Sequence, residues 1–107
     1  MKIFDKAMWQ IDGGIDIDKV VSHFKNVFIW LDIHNMLSEE GREELEFGID
    51  EEASLNDELV NEEGILFLEK YYDKYLEEMA KGKYGMDKDC IELDKYYDEF
   101  LKGKISD

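Results

Sequence analysis

Few side chains in this sequence are of a type that does chemistry. It has two histidines, His23 and His34, one cysteine, Cys90, and four serines, Ser22, Ser38, Ser54 and Ser106. The histidines stand eleven residues apart on one predicted helix. At 1.5 Å rise per residue that is about 16 Å, too far to share a metal ion. The residues three before them are Val20 and Leu31, so neither belongs to a Glu-x-x-His pair and a ferritin-type di-iron site has no basis. Each histidine is expected to be structural or exposed. Cys90 falls on an apolar stripe, where a buried, inert thiol is the ordinary outcome, and Ser38 reads as a helix cap. No Gly-x-Ser-x-Gly, phosphate-binding glycine loop or dinucleotide fingerprint is present. Paired carboxylates carry no signal, because among 28 acids some pairs arise by chance. These residues predict a protein that is not an enzyme and holds no cofactor.

Calcium is the other chemistry an acidic helical chain suggests. Asp12-Gly-Gly-Ile-Asp16-Ile-Asp18 has the look of a calcium loop, but its third position is Gly14, its sixth Ile17 and its twelfth His23. A ligand, the turn-forming glycine and the bidentate glutamate are each missing. Asp87-Lys-Asp89 likewise has Glu92 where that glycine belongs. No metal site is expected.

What the sequence does concentrate is negative charge. Thirteen basic and 28 acidic side chains among 107 residues give a formal charge of −15. Residues 38–69 carry thirteen acids against Arg42 alone, a net of −12, while 1–37 and 70–107 contribute −1 and −2. A run of like charge is often only a solvated face. Crowding of this degree, however, repels itself and works against the compact state, whereas mixed signs give solubility at less cost. A dense patch is easier to understand when a basic partner uses it, since at physiological salt the screening length is about 8 Å and scattered charges would be masked. The same charge disfavours direct nucleic-acid binding, the lysines being interleaved with acids.

The elements that would position these groups are predicted to be helices. At 44% hydrophobic and 13% aromatic the chain can form one core, and residues 1–107 read as a single domain. From Asp18 as N-cap, Val20, Phe24, Val27, Phe28 and Leu31 form one stripe. Val21, Ile29, Trp30 and Ile33 lie outside it, so this helix is either central or meets a second subunit. Ile65, Leu68, Tyr72, Tyr75, Leu76 and Met79 mark a helix ending near Gly82; Cys90, Leu93, Tyr97, Phe100 and Leu101 mark another ending near Gly103. Leu68–Leu76 repeats as Leu93–Leu101, which suggests a C-terminal helical hairpin.

A second echo aligns Leu37–Glu46 with Val60–Glu69 and places Ser38 and Asn61 as N-caps. It leaves Gly41 and Gly64 inside the first turns. Glycine costs about 0.5–1 kcal/mol there relative to alanine, so its repetition predicts a chain segment passing close by. Residues 2–11 fit a helix with Phe4, Ala7, Met8 and Ile11 inward, or a strand with Ile3, Ala7, Trp9 and Ile11 on one side; helix is preferred. Residues 48–61 read as a loop with a helical turn at Leu55–Val60. The expected fold class is all-α, a bundle of four to five helices.

The lone cysteine excludes an intrachain disulfide and suits a reducing compartment. No uncharged stretch exceeds six residues, so no membrane span is expected. Asp5 and Lys6 stand where a secretory signal would begin its apolar stretch, so export by that route is not expected.

In size, acidity, helical content and lack of a catalytic motif, the whole chain resembles the immunity proteins of bacterial polymorphic toxin and contact-dependent inhibition systems. The resemblance implies a cytoplasmic protein that binds and neutralises a basic toxin domain, in many cases a nuclease. On this expectation Glu39, Glu40, Glu43, Glu44, Glu46, Asp50, Glu51, Glu52, Asp57 and Glu58 steer the partner. Tyr71 and Tyr96, each off its helix's apolar stripe, would anchor it, unless they pack laterally on a neighbouring helix. The alternative is a homodimeric adaptor or structural subunit joined through residues 29–33.

Overall fold

A computed structural model of the chain describes residues 1–106, with side chains through Gly103. Asp107 and the side chain of Ser106 lie outside the described residues. In chain order, β1 (Ile3–Lys6) runs directly into α1 (Ala7–Asp12) and is followed by α2 (Ile17–Ile33), α3 (Glu39–Phe47), β2 (Ser54–Asn56) and α4 (Glu62–Met79). A 3₁₀ turn at Lys88–Cys90 then leads into α5 (Ile91–Ser106).

Helix α2 is the centre, as its two apolar faces require. Val20, Phe24, Val27, Phe28 and Leu31 are all buried. Its N-cap is Asp16, not Asp18, which sits in the first turn where a carboxylate meets the positive end of the helix dipole. Trp30, off the main stripe, is also buried: its indole N–H donates to Asp94 of α5 at 2.7 Å, and Phe67 and Tyr97 pack on its ring. Of the second face of α2, Trp30 is therefore covered from within the chain and Val21 is half-buried. Ile29 and Ile33 remain exposed.

The repeated Leu-x-x-Tyr-Tyr pattern produces the expected hairpin. Tyr71 meets Tyr96, and Phe67 meets Phe100, so α4 and α5 run antiparallel. The two faces are not equivalent, however: Tyr72 is fully buried while its counterpart Tyr97 is half-buried, because α5 lies at the outside of the core.

The all-α expectation needs correction. The fold is mostly helical, with 64% helix, but β1 and β2 pair antiparallel, with Asp5 opposite Leu55 and Lys6 opposite Ser54. Residues 3–6 are extended, and only 7–12 keep the preferred helix. The cause is tertiary. Asp5 is 1% exposed and its carboxylate accepts the Tyr72 hydroxyl at 2.6 Å, while Leu55, expected in a helical turn, is drawn into the core at 0% exposure. Neither demand is visible in local periodicity.

The Leu37/Val60 echo is a structural two-fold. These two residues form an isolated antiparallel bridge, and the bonds around it are reciprocal. Ser38 N–H donates to Leu59 C=O at 3.0 Å, and Asn61 N–H to Met36 C=O at 2.9 Å. The Ser38 hydroxyl donates to Glu58 C=O and the Asn61 amide to Asn35 C=O, both at 2.6 Å. Each cap oxygen then accepts the N–H of the glycine three residues on, at 3.1 Å from Gly41 and 2.9 Å from Gly64.

The glycines have the close neighbours that their repetition predicted. A methyl group on Gly64 would stand 2.7 Å from the Met36 carbonyl oxygen, and one on Gly41 would overlap the Leu59 carbonyl outright. Gly41→Ala should therefore cost about 1–3 kcal/mol despite alanine's better helix propensity. Gly103→Ala in α5, with nothing within 4 Å of the added carbon, should gain about 0.5–1 kcal/mol. Urea midpoints at constant slope measure both. A Gly41→Ala protein as stable as the parent would contradict the close approach.

Candidate functional site

Helix α3 has one inward face and it is narrow. Gly41 is buried under the Leu59 backbone and Leu45 is half-buried, so the rest of the circumference faces water. At about 100° per residue, that outer arc carries Glu46, Glu39, Glu43, Phe47, Glu40 and Glu44 in rotational order. All five carboxylates are exposed, and Phe47 is 96% exposed in their midst. Glu39 and Glu40 stand in the first turn, where the helix dipole favours negative charge. Arg42, the segment's one cation, is at the arc's edge, in a depression shared with Asp32 and Glu46.

Gly48 ends the helix with φ of +115°, a conformation that suits glycine, and the chain turns back beside it. The Asp50 carboxylate accepts the Glu52 N–H at 2.9 Å and fixes the turn. Between α3 and the returning segment lies a cleft of about 380 Å³. Glu44, Asp50, Glu52 and Glu58 line it, together with Phe28, Phe47, Ile49 and Leu59. The site is therefore a joined surface: an acidic helix arc with an aromatic ring at its centre, opening into a cleft with carboxylates and apolar side chains in its walls. Among the described residues none of these carboxylates forms a salt bridge. Lysine ion pairs occur elsewhere, with Glu69, Glu78 and Glu92.

Of the residues expected to bind a partner, Glu39, Glu40, Glu43, Glu44, Glu46, Asp50, Glu52 and Glu58 come together here. Glu51 is exposed on the same turn. Asp57 is drawn away: its carboxylate accepts the Lys2 N–H at 3.0 Å and its own N–H donates to the Lys2 carbonyl. The tyrosines follow the lateral-packing alternative. Tyr71 is 3% exposed and belongs to the core, so it is no exposed anchor; Tyr96 is half-buried with its ring 5.6 Å from that of Tyr71. Among the described residues the most exposed aromatic side chain is Phe47. Phe47 is not among the expected anchors; its place opposite Gly41 and Leu45 on a 3.6-residue period is the signal in the sequence that marks it.

A second group of polar side chains is buried. The Tyr72 hydroxyl links Asp5 at 2.6 Å to Nε2 of His23 at 3.0 Å, and the Tyr84 ring stacks on His23 at 4.4 Å between centroids. Asp5 also accepts from Lys6 N–H and the Gln10 amide. Burial raises the Asp5 carboxyl above its ordinary range in spite of these donors. Burial also holds the His23 imidazole down, to about 4, and pushes the Cys90 thiol up to about 12, which leaves it unreactive. His34 is half-buried, stacked on Trp30, with its Nδ1 bonded to the Trp30 carbonyl. Among the described residues no group of three or more His, Cys, Asp or Glu is placed to hold a metal ion, and no helix is long and apolar enough to cross a membrane.

Comparison of the chain with protein-family models, with curated proteins and with solved structures gave no match.

The burial of His23 has a pH signature. The unfolded imidazole takes a proton near 6.5 and the folded one resists to about 4, so in that window the unfolded state binds the extra proton and stability falls as pH falls. Relative to His23→Gln, the parent should lose about 3 kcal/mol between pH 7 and pH 4. Asp5, whose raised carboxyl acts in the opposite direction, is common to both proteins. Urea unfolding across this range measures the difference, and parallel pH profiles would contradict it.

Proposed function

We propose that this chain is a non-enzymatic protein-binding module, a cytoplasmic immunity protein that neutralises a basic toxin domain through α3 and the adjoining cleft. The observation that carries this reading is the exposed Phe47 ring among unpaired carboxylates. Crowded like charges destabilise a free protein, and an aromatic side chain exposed to this extent gains nothing from water. Both features become favourable once a cationic surface with an apolar depression covers them. The carboxylates then accelerate encounter, while the ring, desolvated at the centre, slows dissociation. A nuclease is the partner class that suits the surface best, because a site built for a phosphate backbone presents positive charge to an acidic protein.

A homodimeric adaptor is the second reading. Ile29 and Ile33, exposed beside Lys88 and Asp89 around a depression of about 170 Å³, favour it. Its expected centre, Trp30, is already covered by α5. Light scattering separates the two: a stable dimer lost on Ile33→Glu supports the adaptor.

On the immunity reading, the gene beside this one is expected to encode a large secreted protein with a variable C-terminal domain, and that domain is the partner to use. It should co-purify with this chain. Charge reversal at Glu44, Asp50, Glu52 and Glu58 should slow association roughly tenfold at low salt and flatten its salt dependence. Phe47→Ala should mainly speed dissociation, by about 30-fold for a loss of about 2 kcal/mol. Unchanged association kinetics in the charge-reversed protein would remove the acidic surface from the binding account.

A further inference from the structure

His23, Tyr72 and Asp5 come from α2, α4 and β1 and meet in the interior, remote in sequence and joined by two hydrogen bonds. Tyr72 has one hydroxyl proton, and the 2.6 Å contact with Asp5 Oδ2 has the length of a bond donated to a carboxylate. With that proton committed to Asp5, the Tyr72 oxygen can only accept from His23. Nε2 must therefore carry the hydrogen of the 3.0 Å bond, leaving Nδ1 as the free lone pair of a neutral imidazole. The resting state is fixed: His23 Nε2–H to Tyr72, Tyr72 O–H to Asp5 carboxylate.

This cluster has one buried negative charge and, among the described residues, no ion pair to a lysine or arginine. The other titratable groups facing it are Tyr75 and Tyr84, which flank the His23 ring, and Asp73, which adds to the negative potential at Asp5. The Tyr75 hydroxyl is occupied by Asp87, and the Tyr84 hydroxyl is buried without a hydrogen-bond partner among the described residues. Burial disfavours an imidazolium here, whereas a proton placed on the Asp5 carboxylate removes the buried charge. An added proton has a better destination.

We propose that His23, Tyr72 and Asp5 form a proton relay in which one proton taken up at His23 Nδ1 comes to rest on Asp5, leaving the imidazole neutral and its tautomer reversed. The balance is one proton in and none out. As the Nδ1–H bond forms, the Nε2 proton passes to the Tyr72 oxygen and the Tyr72 proton passes to Asp5 Oδ2. Tyr72 then donates to Nε2 and accepts from the Asp5 carboxylic acid. All three groups remain hydrogen-bonded, and the buried charge is gone. The relay makes β1 and α2 respond together to acid.

Imidazole nitrogen shifts on the full chain, labelled with nitrogen-15 at histidine, report the tautomer directly. His23 should be Nε2–H at pH 7 and become Nδ1–H on acidification, with the same midpoint as the Asp5 carboxyl carbon. Asp5→Asn tests the idea without acid. The Lys6 N–H requires the asparagine oxygen on its side, so the amide N–H₂ donates to Tyr72 as the carboxylic acid would. That variant should already hold His23 as Nδ1–H at pH 7. If the parent unfolds before Asp5 titrates, the Asp5→Asn result decides. Formation of an imidazolium while Asp5 titrates, or an Asp5→Asn protein that keeps Nε2–H, would overturn the relay.

Discussion

The approach of two helix starts to each other's preceding segment is the constraint on which the acidic stretch of this protein depends. Residues 35–38 and 58–61 exchange backbone and cap hydrogen bonds across the Leu37–Val60 bridge, and each helix then begins against the other's carbonyl groups. Any side chain at position 41 or 64 would occupy the space of a backbone. Glycine, a poor helix residue, is required twice so that α3 and α4 can start where they do. Because the bonds on the two sides are equivalent, the cap of α3 and the cap of α4 support each other.

The nature of the surface follows. Anchored at its start and touching the core through little more than Gly41 and Leu45, α3 has nowhere to bury further apolar groups, and its remaining positions are acids, Arg42 and Phe47. The first-turn glutamates find compensation in the helix dipole, and the cap satisfies the Gly41 N–H. Past Gly48 there is no such compensation for Asp50, Glu51 and Glu52. Asp50 and Glu52 crowd an apolar-walled cleft together with Glu44 and Glu58, which opposes the stability of the free protein. Architecture and charge thus point to the same side of the molecule, while Tyr71 and Tyr96 serve the α4–α5 packing.

How much of this was legible in the sequence depends on the range of the interaction responsible. The stripes of α2, α4 and α5, the Ser38 and Asn61 caps and the crowding of residues 39–58 are local and could be read. The close approach at Gly41 and Gly64 could be read because it occurs twice. The β1–β2 pair could not: residues 3–6 are extended through Asp5 meeting Tyr72 and through pairing with residues some fifty positions away. For Trp30 the sequence leaves the core and a second subunit both open, because its cover, Asp94 and Tyr97, arrives from α5. His23 lies on the flank of an otherwise apolar helix, and only the folded chain brings a tyrosine and a carboxylate to it. Phe47 becomes legible only with the inward face of α3, since a single aromatic residue after a run of glutamates does not stand out by itself.

The most direct test of the central claim is amide hydrogen exchange of this chain alone and in complex with a basic toxin domain. The account predicts added protection concentrated between Glu39 and Leu59, strongest around Phe47 and Gly48, with α5 unchanged. Protection confined to the outer face of α5, or to the region of Ile29 and Ile33, would contradict it.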